Sequence, residues 1–326
     1  MLPIPLRPTK PPFNPPIRFV NAHVRSGISG KHRALQRADI QRKLDIILKA
    51  GRHPTESMEI PHDMSESETA AQPILPRIRR YWDGRAEGFR ETRAFEFAGP
   101  LKVRWLAEIE PAYRAIAAKR NTGRLDVLDI GTGTGFLALL AATLGARAVG
   151  VDLSEEMIAA AKRTAEELSL ADKTQFYVMN AQALDAFEDA QFDLIVSRNL
   201  VWTLPDPKAA YREWLRLLRP GGKLLVFDAD YGAVSFTDLT AELEADGIEN
   251  AHEGIGETRL NECDEIKAAL SISRERRPAW DKATLEALGF AAVDADETLS
   301  RRIYLEQDEA WNPVPMFVVR AEKPAL

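Results

Sequence analysis

Val127-Leu128-Asp129-Ile130-Gly131-Thr132-Gly133-Thr134-Gly135 is the stretch on which the reading of this 326-residue chain turns. A short apolar run ends, three glycines alternate with threonines, and Phe136–Leu144 follows as a segment apolar nearly all round. That order reads as a strand, a tight turn and a buried helix that Gly145 can cap. Glycine admits positive φ and lets a ligand reach the backbone with no Cβ in the way. The helix N-terminus behind it offers free N–H groups and partial positive charge. A dinucleotide fingerprint, G-x-G-x-x-G, needs a third glycine where this chain has Phe136. Here the glycines fall at 131, 133 and 135, with Asp129 just upstream of the first.

Working outward, Ala148–Val151 reads as a second strand ending at Asp152. The two oxygens of a carboxylate placed there suit the paired hydroxyls of a ribose; the alternative is a helix cap or a solvated turn residue. Ser154 is an N-cap, with Glu155 and Glu156 in the first turn, where the dipole favours negative charge, and Met157, Ala161, Ala165 and Leu168 follow at helical spacing. Phe176–Met179 and Phe192–Ser197 read as strands. A helix follows Pro207 with Tyr211, Trp214, Leu215 and Leu218 on one face, and Pro220-Gly221-Gly222 turns the chain into a fifth strand, Lys223–Asp228. The tail carries a helix near Trp280–Leu288 and strands at Phe290–Val293 and Met316–Ala321. Strands alternating with helices imply an α/β fold with a parallel sheet and right-handed crossovers.

Composition divides the chain. Residues 1–63 hold 11 Lys/Arg against 5 Asp/Glu and 9 of the 20 prolines, but no Trp or Tyr; the remainder holds 32 Lys/Arg against 44 Asp/Glu. Residues 1–33 read as disordered, 34–50 as one amphipathic helix stopped by Gly51, and 1–72 altogether as an extension preceding a domain at 73–326. Met64 opens sequence resembling an ordinary enzyme start, so 1–63 is expected to be dispensable. Seven Lys/Arg precede the first acid, Asp39, as in an organellar transit peptide, but prolines at 3, 5, 8, 11, 12, 15 and 16 forbid the helix such a peptide needs. With no secretory or membrane-spanning stretch, the expected location is the cytoplasm. Aromatics are not interleaved with the basic residues, which argues against nucleic acid as partner. Cys263 is the only cysteine, which excludes an intrachain disulfide and a multi-thiolate metal site.

From about Tyr81 to Ala321 the chain resembles the class I methyltransferases that use S-adenosylmethionine, and within them the ubiquinone/menaquinone C-methyltransferase-like "type 11" group. The resemblance rests on VLDIGTGTG at 127–135, VGVDLSEEM at 149–157, FDLIVSRN at 192–199 and LRPGGKLLVFD at 218–228. It implies a Rossmann-like three-layer sandwich whose seven-stranded, mostly parallel sheet has an antiparallel last strand, a role for Met316–Ala321. It also implies S-adenosylmethionine as cofactor and a small-molecule methyl acceptor as partner. Carried over by position, Gly131, Gly133 and Gly135 border the cofactor, with Asp129 around its amino-acid end. Asp152 holds the ribose and Leu153 packs on the adenine. Asn180-Ala181 stands where the family often has an acid reaching the adenine amino group, and an amide oxygen can accept there without charge. Ser197-Arg198-Asn199 ends strand four, where the family lines the methionine portion. The Tyr81-Trp82-Asp83-Gly84-Arg85 segment would fold over the cofactor mouth, with Tyr81 or Arg85 on its carboxylate; equally, these aromatics pack on the domain.

Acceptor-side candidates lie after strands four and five. Asn199 would stand near the acceptor and Trp202 wall the pocket, unless Trp202 is core. Asp228, Asp230 and Tyr231 share that sheet edge, where either acid could serve as base or orient a polar substrate, or be a solvated carboxylate. Residues 232–279, with 11 acids against 5 bases, read as a lid or specificity insertion that would suit cationic substrates or merely be a solvated face. The expected chemistry is in-line displacement, in which alignment and exclusion of water supply much of the rate. A non-catalytic binding protein, another transferase on the same cofactor and an NAD-dependent oxidoreductase are the rival readings, the last opposed by Phe136.

Overall fold

The apolar run read at Leu125–Ile130 is strand β1, Asp126–Ile130, buried from Val127 onward. It lies at the middle of a seven-stranded sheet in a computed structural model that describes residues 74–248, 255–306 and 310–325. The expectations for residues 1–72 lie outside these. Among the described residues, three helices precede β1: α1 (Ile74–Asp83), α2 (Ala86–Ala98) and α3 (Pro100–Arg120). The βα alternation then runs α4 (Phe136–Thr143), β2 (Arg147–Asp152), α5 (Glu155–Glu167), β3 (Thr174–Val178), β4 (Phe192–Arg198), α6 (Pro207–Leu217) and β5 (Leu218–Ala229). The chain continues through α7 (Phe236–Ala245), α8 (Glu257–Ala268), α9 (Ala279–Ala287), β6 (Ala291–Asp296), α10 (Leu299–Ile303) and β7 (Met316–Glu322).

The strand order is β3-β2-β1-β4-β5-β7-β6, with β1 to β5 parallel. β7 runs antiparallel to both β5 and β6. The order reverses direction between β1 and β4, and in open α/β sheets ligands bind beyond the carboxyl ends of strands at such a switch point. One core side joins Leu128, Ile130, Ile195 and Val226 of the sheet to Tyr211, Trp214 and Leu217 of α6.

Helix α3 went unread in the sequence. Its buried residues, Leu101, Trp105, Ile109, Tyr113 and Ile116, recur at near-helical spacing, a signal masked by Pro111 inside the helix. The insertion at 232–279 is not an open connection: α7, α8 and a turn at Ser271–Arg274 occupy most of it, anchored by a cluster of Ile78, Ile266, Leu270 and Ile272. β5 begins at Leu218, not after the glycines, because Leu218 already pairs with Phe192.

Candidate functional site

The turn after β1 is fixed from both sides. The N–H groups of Gly131 and Thr132 both donate to the Val151 carbonyl, each at 2.9 Å. Asp152 Oδ2 accepts from Gly133 N at 2.9 Å, and its Oδ1 accepts from Ser154 N at 2.9 Å. Gly131, Gly133 and Gly135 all have positive φ (68°, 53° and 92°), so the turn is closed to most side chains on conformational grounds. Their surroundings differ. A Cβ on Gly131 would lie 2.8 Å from Leu200, whereas one on Gly133 would meet nothing nearer than Met157 Sδ at 3.9 Å. The open space therefore lies over Gly133, beside the Asp152 carboxylate. Each carboxylate oxygen has two lone pairs and spends one on the backbone, which leaves one apiece for a vicinal diol.

Asp129 is buried. Its Oδ2 accepts from Thr132 Oγ1 at 2.6 Å and from Ala138 N at 2.9 Å, bracing the turn and the first turn of α4 together. Burial pushes its carboxyl up to about 7, against the pull of those two bonds. Ser197 is fully buried too, and its hydroxyl donates to Ile130 O at 2.9 Å. Its side chain thus locks β4 to the end of β1 and does not face outward. At the end of β3, Asn180 Oδ1 accepts from the backbone and side-chain nitrogens of Gln182, at 3.1 and 3.3 Å. Both lone pairs of the oxygen expected to receive an adenine amino group are engaged within the turn. The Ala181 side chain belongs to the core, and its carbonyl accepts from Trp214 Nε1.

The entry segment is tied down by a contact the sequence reading missed. Ser154 Oγ caps α5 by accepting from Met157 N at 3.1 Å and donates to Asp83 Oδ1 at 2.6 Å. This bond fastens the end of α1 over the Asp152 corner. Leu153 packs against the α1–α8 cluster, beside Tyr81 and Trp82. Arg85 donates to Tyr81 Oη at 3.2 Å, so the two candidates for a cofactor carboxylate stand together at the mouth. Burial, more than the neighbouring Cys263, raises the Tyr81 phenol, which stays protonated.

Beyond β4 lies an aromatic group centred on Trp202. Trp202 is nearly buried and packs on Tyr231 (centroids 4.9 Å apart), Phe236 (5.7 Å) and Trp82 (6.1 Å). Asn199 has a φ of 55°; its carbonyl accepts from Trp202 Nε1 and its Oδ1 accepts from Tyr231 Oη at 3.2 Å. Tyr231 Oη also accepts from Asn312 Nδ2 at 2.7 Å, and burial raises its phenol.

Asp228 requires a correction. It is fully buried, and its Oδ2 accepts from Arg277 Nη1 at 2.8 Å and from Val201 N at 3.1 Å. Arg277 in turn grips Asp281, which accepts from Tyr211 Oη at 2.5 Å. An acid so engaged is a strut holding the 199–204 loop to β5, not a base. Asp230 remains half-buried at the same edge, its carboxyl raised by burial despite the Arg277 charge.

Gly150 escaped the sequence reading, and so did the partners of Arg198, which it carried only as part of the end of strand four. Gly150 in β2 gives Thr132 and Phe176 their room, since a Cβ there would lie 2.7 and 2.6 Å from them. Arg198, next to Asn199, makes a two-pronged bond to the wholly buried Glu96 of α2 at 2.8 and 2.9 Å and donates to Tyr304 Oη at 3.1 Å. Its guanidinium lies 4.1 Å from the Trp105 ring centroid. Despite full burial, the charges of Arg198 and Arg93 hold Glu96 below the usual carboxylate range.

A strand order that reverses between β1 and β4, a pinned glycine turn and a carboxylate beside its open side are features of a Rossmann-like fold. The family model described as a methyltransferase domain matches residues 128–226. A ubiquinone biosynthesis O-methyltransferase of Psychrobacter arcticus is 32% identical over 128 residues, 38% of this chain and 50% of that one. A phosphatidylethanolamine N-methyltransferase of Cereibacter sphaeroides is 35% identical over 117 residues, 36% of this chain and 57% of that one. The chain thus spans about half the length of the curated relatives it matches. Among solved structures, a putative S-adenosyl-L-methionine-dependent methyltransferase from Methanococcus maripaludis aligns with 19% identity over 81% of this chain and 99% of that one, at a TM-score of 0.49.

Proposed function

We propose that this chain transfers a methyl group from S-adenosylmethionine to a small-molecule acceptor, acting in the cytoplasm. The observation that carries the reading is the space over Gly133 beside Asp152, whose carboxylate is held by Gly133 N and Ser154 N with acceptor capacity to spare. Asp152 would take the ribose hydroxyls, Leu153 would pack on the adenine, and the Asn180-Ala181 turn would flank it. Gly131 and Gly135 would border the cofactor, and Arg85 with Tyr81 would receive its carboxylate, a charge-assisted bond. When bound, S-adenosylmethionine supplies a methyl group activated on a sulfonium.

This chain's own residues would do the rest. Trp82, Trp202 and Tyr231 wall the mouth above β4 and β5 and exclude water. Asn199, oriented by Tyr231, offers a polar contact for the acceptor. Because Asp228 is committed to Arg277, the side chain at this edge suited to orient a polar acceptor or take its proton is Asp230. No helix among the described residues is long and apolar enough to cross a membrane. The relatives named as a ubiquinone biosynthesis O-methyltransferase and a phosphatidylethanolamine N-methyltransferase differ in acceptor atom, so the assay must follow label into O-, N-, C- and S-methyl products alike. The test is calorimetry with S-adenosylmethionine, followed by labelled-methyl transfer from it into a metabolite pool. Micromolar binding and label in a small molecule support the proposal; absence of binding by the full chain overturns it.

A further inference from the structure

Asn199 follows β4, and all but one of its hydrogen-bonding groups are committed. Its backbone N–H donates to Phe227 O at 2.8 Å, its carbonyl accepts from Trp202 Nε1 at 3.0 Å, and its Oδ1 accepts from Tyr231 Oη at 3.2 Å. These bonds hold it at a φ of 55°, in the left-handed region that residues other than glycine rarely adopt. Its Nδ2 alone makes no hydrogen bond to the described residues. That nitrogen is not one of their buried unpaired atoms either, and the residue is half-buried, so the amide nitrogen opens on solvent. The neighbouring Leu200 stands against Gly131, which places this opening beside the glycine turn.

What faces the opening is a donor, for a reason that lies two side chains away. A carboxamide can present either end, and its partners decide which. Asn312 is buried in the approach to β7, where its Oδ1 accepts from Val314 N at 3.1 Å. A backbone N–H can only donate, so the oxygen end of Asn312 is fixed, and its Nδ2 donates to Tyr231 Oη at 2.7 Å. Burial keeps the Tyr231 phenol protonated, and its one hydrogen is left for Asn199 Oδ1. Turning the Asn199 amide over would aim two donors at one hydroxyl and strand that hydrogen. Tyr231 is 4% exposed, and no other acceptor for its hydrogen occurs among the described residues. A backbone N–H ahead of β7 thus sets the polarity of a side chain beyond β4.

Asn199 stands away from the nucleoside corner. Asp152 ends β2 and Gly133 follows β1, whereas Tyr231 follows β5 and Asn312 precedes β7, both beyond β4 in the sheet order. We propose that the methyl acceptor carries a hydrogen-bond-accepting oxygen, of a carbonyl or hydroxyl group, which Asn199 Nδ2 holds, and that Tyr231 and Asn312 are positioning residues that fix this polarity. The proposal rests on the methyltransferase reading. The full-length protein, saturated with S-adenosylhomocysteine, is titrated with acetophenone and with α-methylstyrene, which has a methylene in place of the carbonyl oxygen, and binding is followed by nuclear magnetic resonance. The ketone should bind about threefold to tenfold more tightly, as a single neutral hydrogen bond allows. Asn199→Asp sets an acceptor oxygen at the opening and should erase or reverse that preference, with S-adenosylhomocysteine affinity kept within about twofold. Asn312→Asp should erase it from a distance: the Tyr231 hydroxyl then donates to the new carboxylate and accepts from Asn199 Nδ2, which turns the amide oxygen outward. Tyr231→Phe should bring the two probes close to equal, and it tests the relay even where the Asn312→Asp protein does not fold. Equal affinity of wild type for the two probes, or no binding of the ketone, overturns the proposal. So does an undiminished preference in Asn199→Asp, in Tyr231→Phe or in a folded Asn312→Asp protein. An Asn199→Asp protein that loses S-adenosylhomocysteine yet still prefers the ketone would assign the amide to the cofactor and likewise overturn it. Failure of wild type to bind S-adenosylhomocysteine at all strikes instead at the methyltransferase reading.

Discussion

Replacing Asp152 separates the two tasks the structure gives it. Its carboxylate holds the turn through Gly133 N and Ser154 N, and its remaining lone pairs face the space over Gly133. Asp152→Ala removes two charge-assisted bonds from a half-buried site that water can partly refill, so the loss of folding stability should be about 1–3 kcal/mol. The loss in ligand binding is separate. Hydrogen bonds to a charged acceptor contribute about 1.5–3 kcal/mol net, so S-adenosylmethionine should bind roughly 10- to 150-fold more weakly. Asp152→Asn keeps one acceptor oxygen and should fall between. Thermal unfolding without ligand measures the first effect and calorimetry the second. A variant destabilised as expected that binds S-adenosylmethionine within about twofold of wild type would refute the ribose assignment and leave Asp152 a turn residue.

Other substitutions probe the same architecture. Gly133→Ala, at positive φ but in open space, should cost about 1 kcal/mol of stability yet abolish measurable cofactor binding, whereas Gly150→Ala, which collides with Phe176, should lose several times more stability; unfolding curves and calorimetry on both would show whether the two glycines differ. Burial lifts the Asp129 carboxyl from 3.8 to about 7, so the folded state favours its protonated form: the stability this contributes is complete below about pH 4 and is lost as pH rises through about 7. Asp129→Asn should therefore flatten the decline in melting temperature between pH 5 and pH 8, and an unchanged slope would count against that assignment. Arg277→Met strands Asp228 and Asp281 in the core and should cost about 3–5 kcal/mol in denaturant unfolding; a loss below about 1 kcal/mol would show that the network is not the strut described.

Much of the sheet was legible because its signals are local. The four-residue apolar runs, the Ser154 cap and the helix after Pro207 each declare themselves within a few residues, and their boundaries in the structure differ from the reading by little. The glycine turn was legible for the same reason: positive φ at alternate positions is a demand that few sequences but G-x-G-x-G meet. Asp228 was misread because a carboxylate at a strand end looks alike in sequence whether it faces solvent or an arginine 49 residues onward. Asn180 was placed correctly just after strand three and Ser197 on strand four, but the direction of each polar atom depends on Gln182 and Ile130. The pairing of Arg198 with Glu96 gave no sign, since it spans 102 residues.

Taken alone, the amino-acid order determined the α/β class, the strand that ends in the glycine turn and the acid that closes the next strand, for these follow from periodicity and backbone sterics over short distances. Only the tertiary structure decided which charged groups are consumed as struts, as Asp228 is on Arg277, and which stand half-buried at the site's edge, as Asp230 does. That difference arises because the energy of a buried ion depends on every neighbour brought within a few ångströms, wherever in the chain it originates.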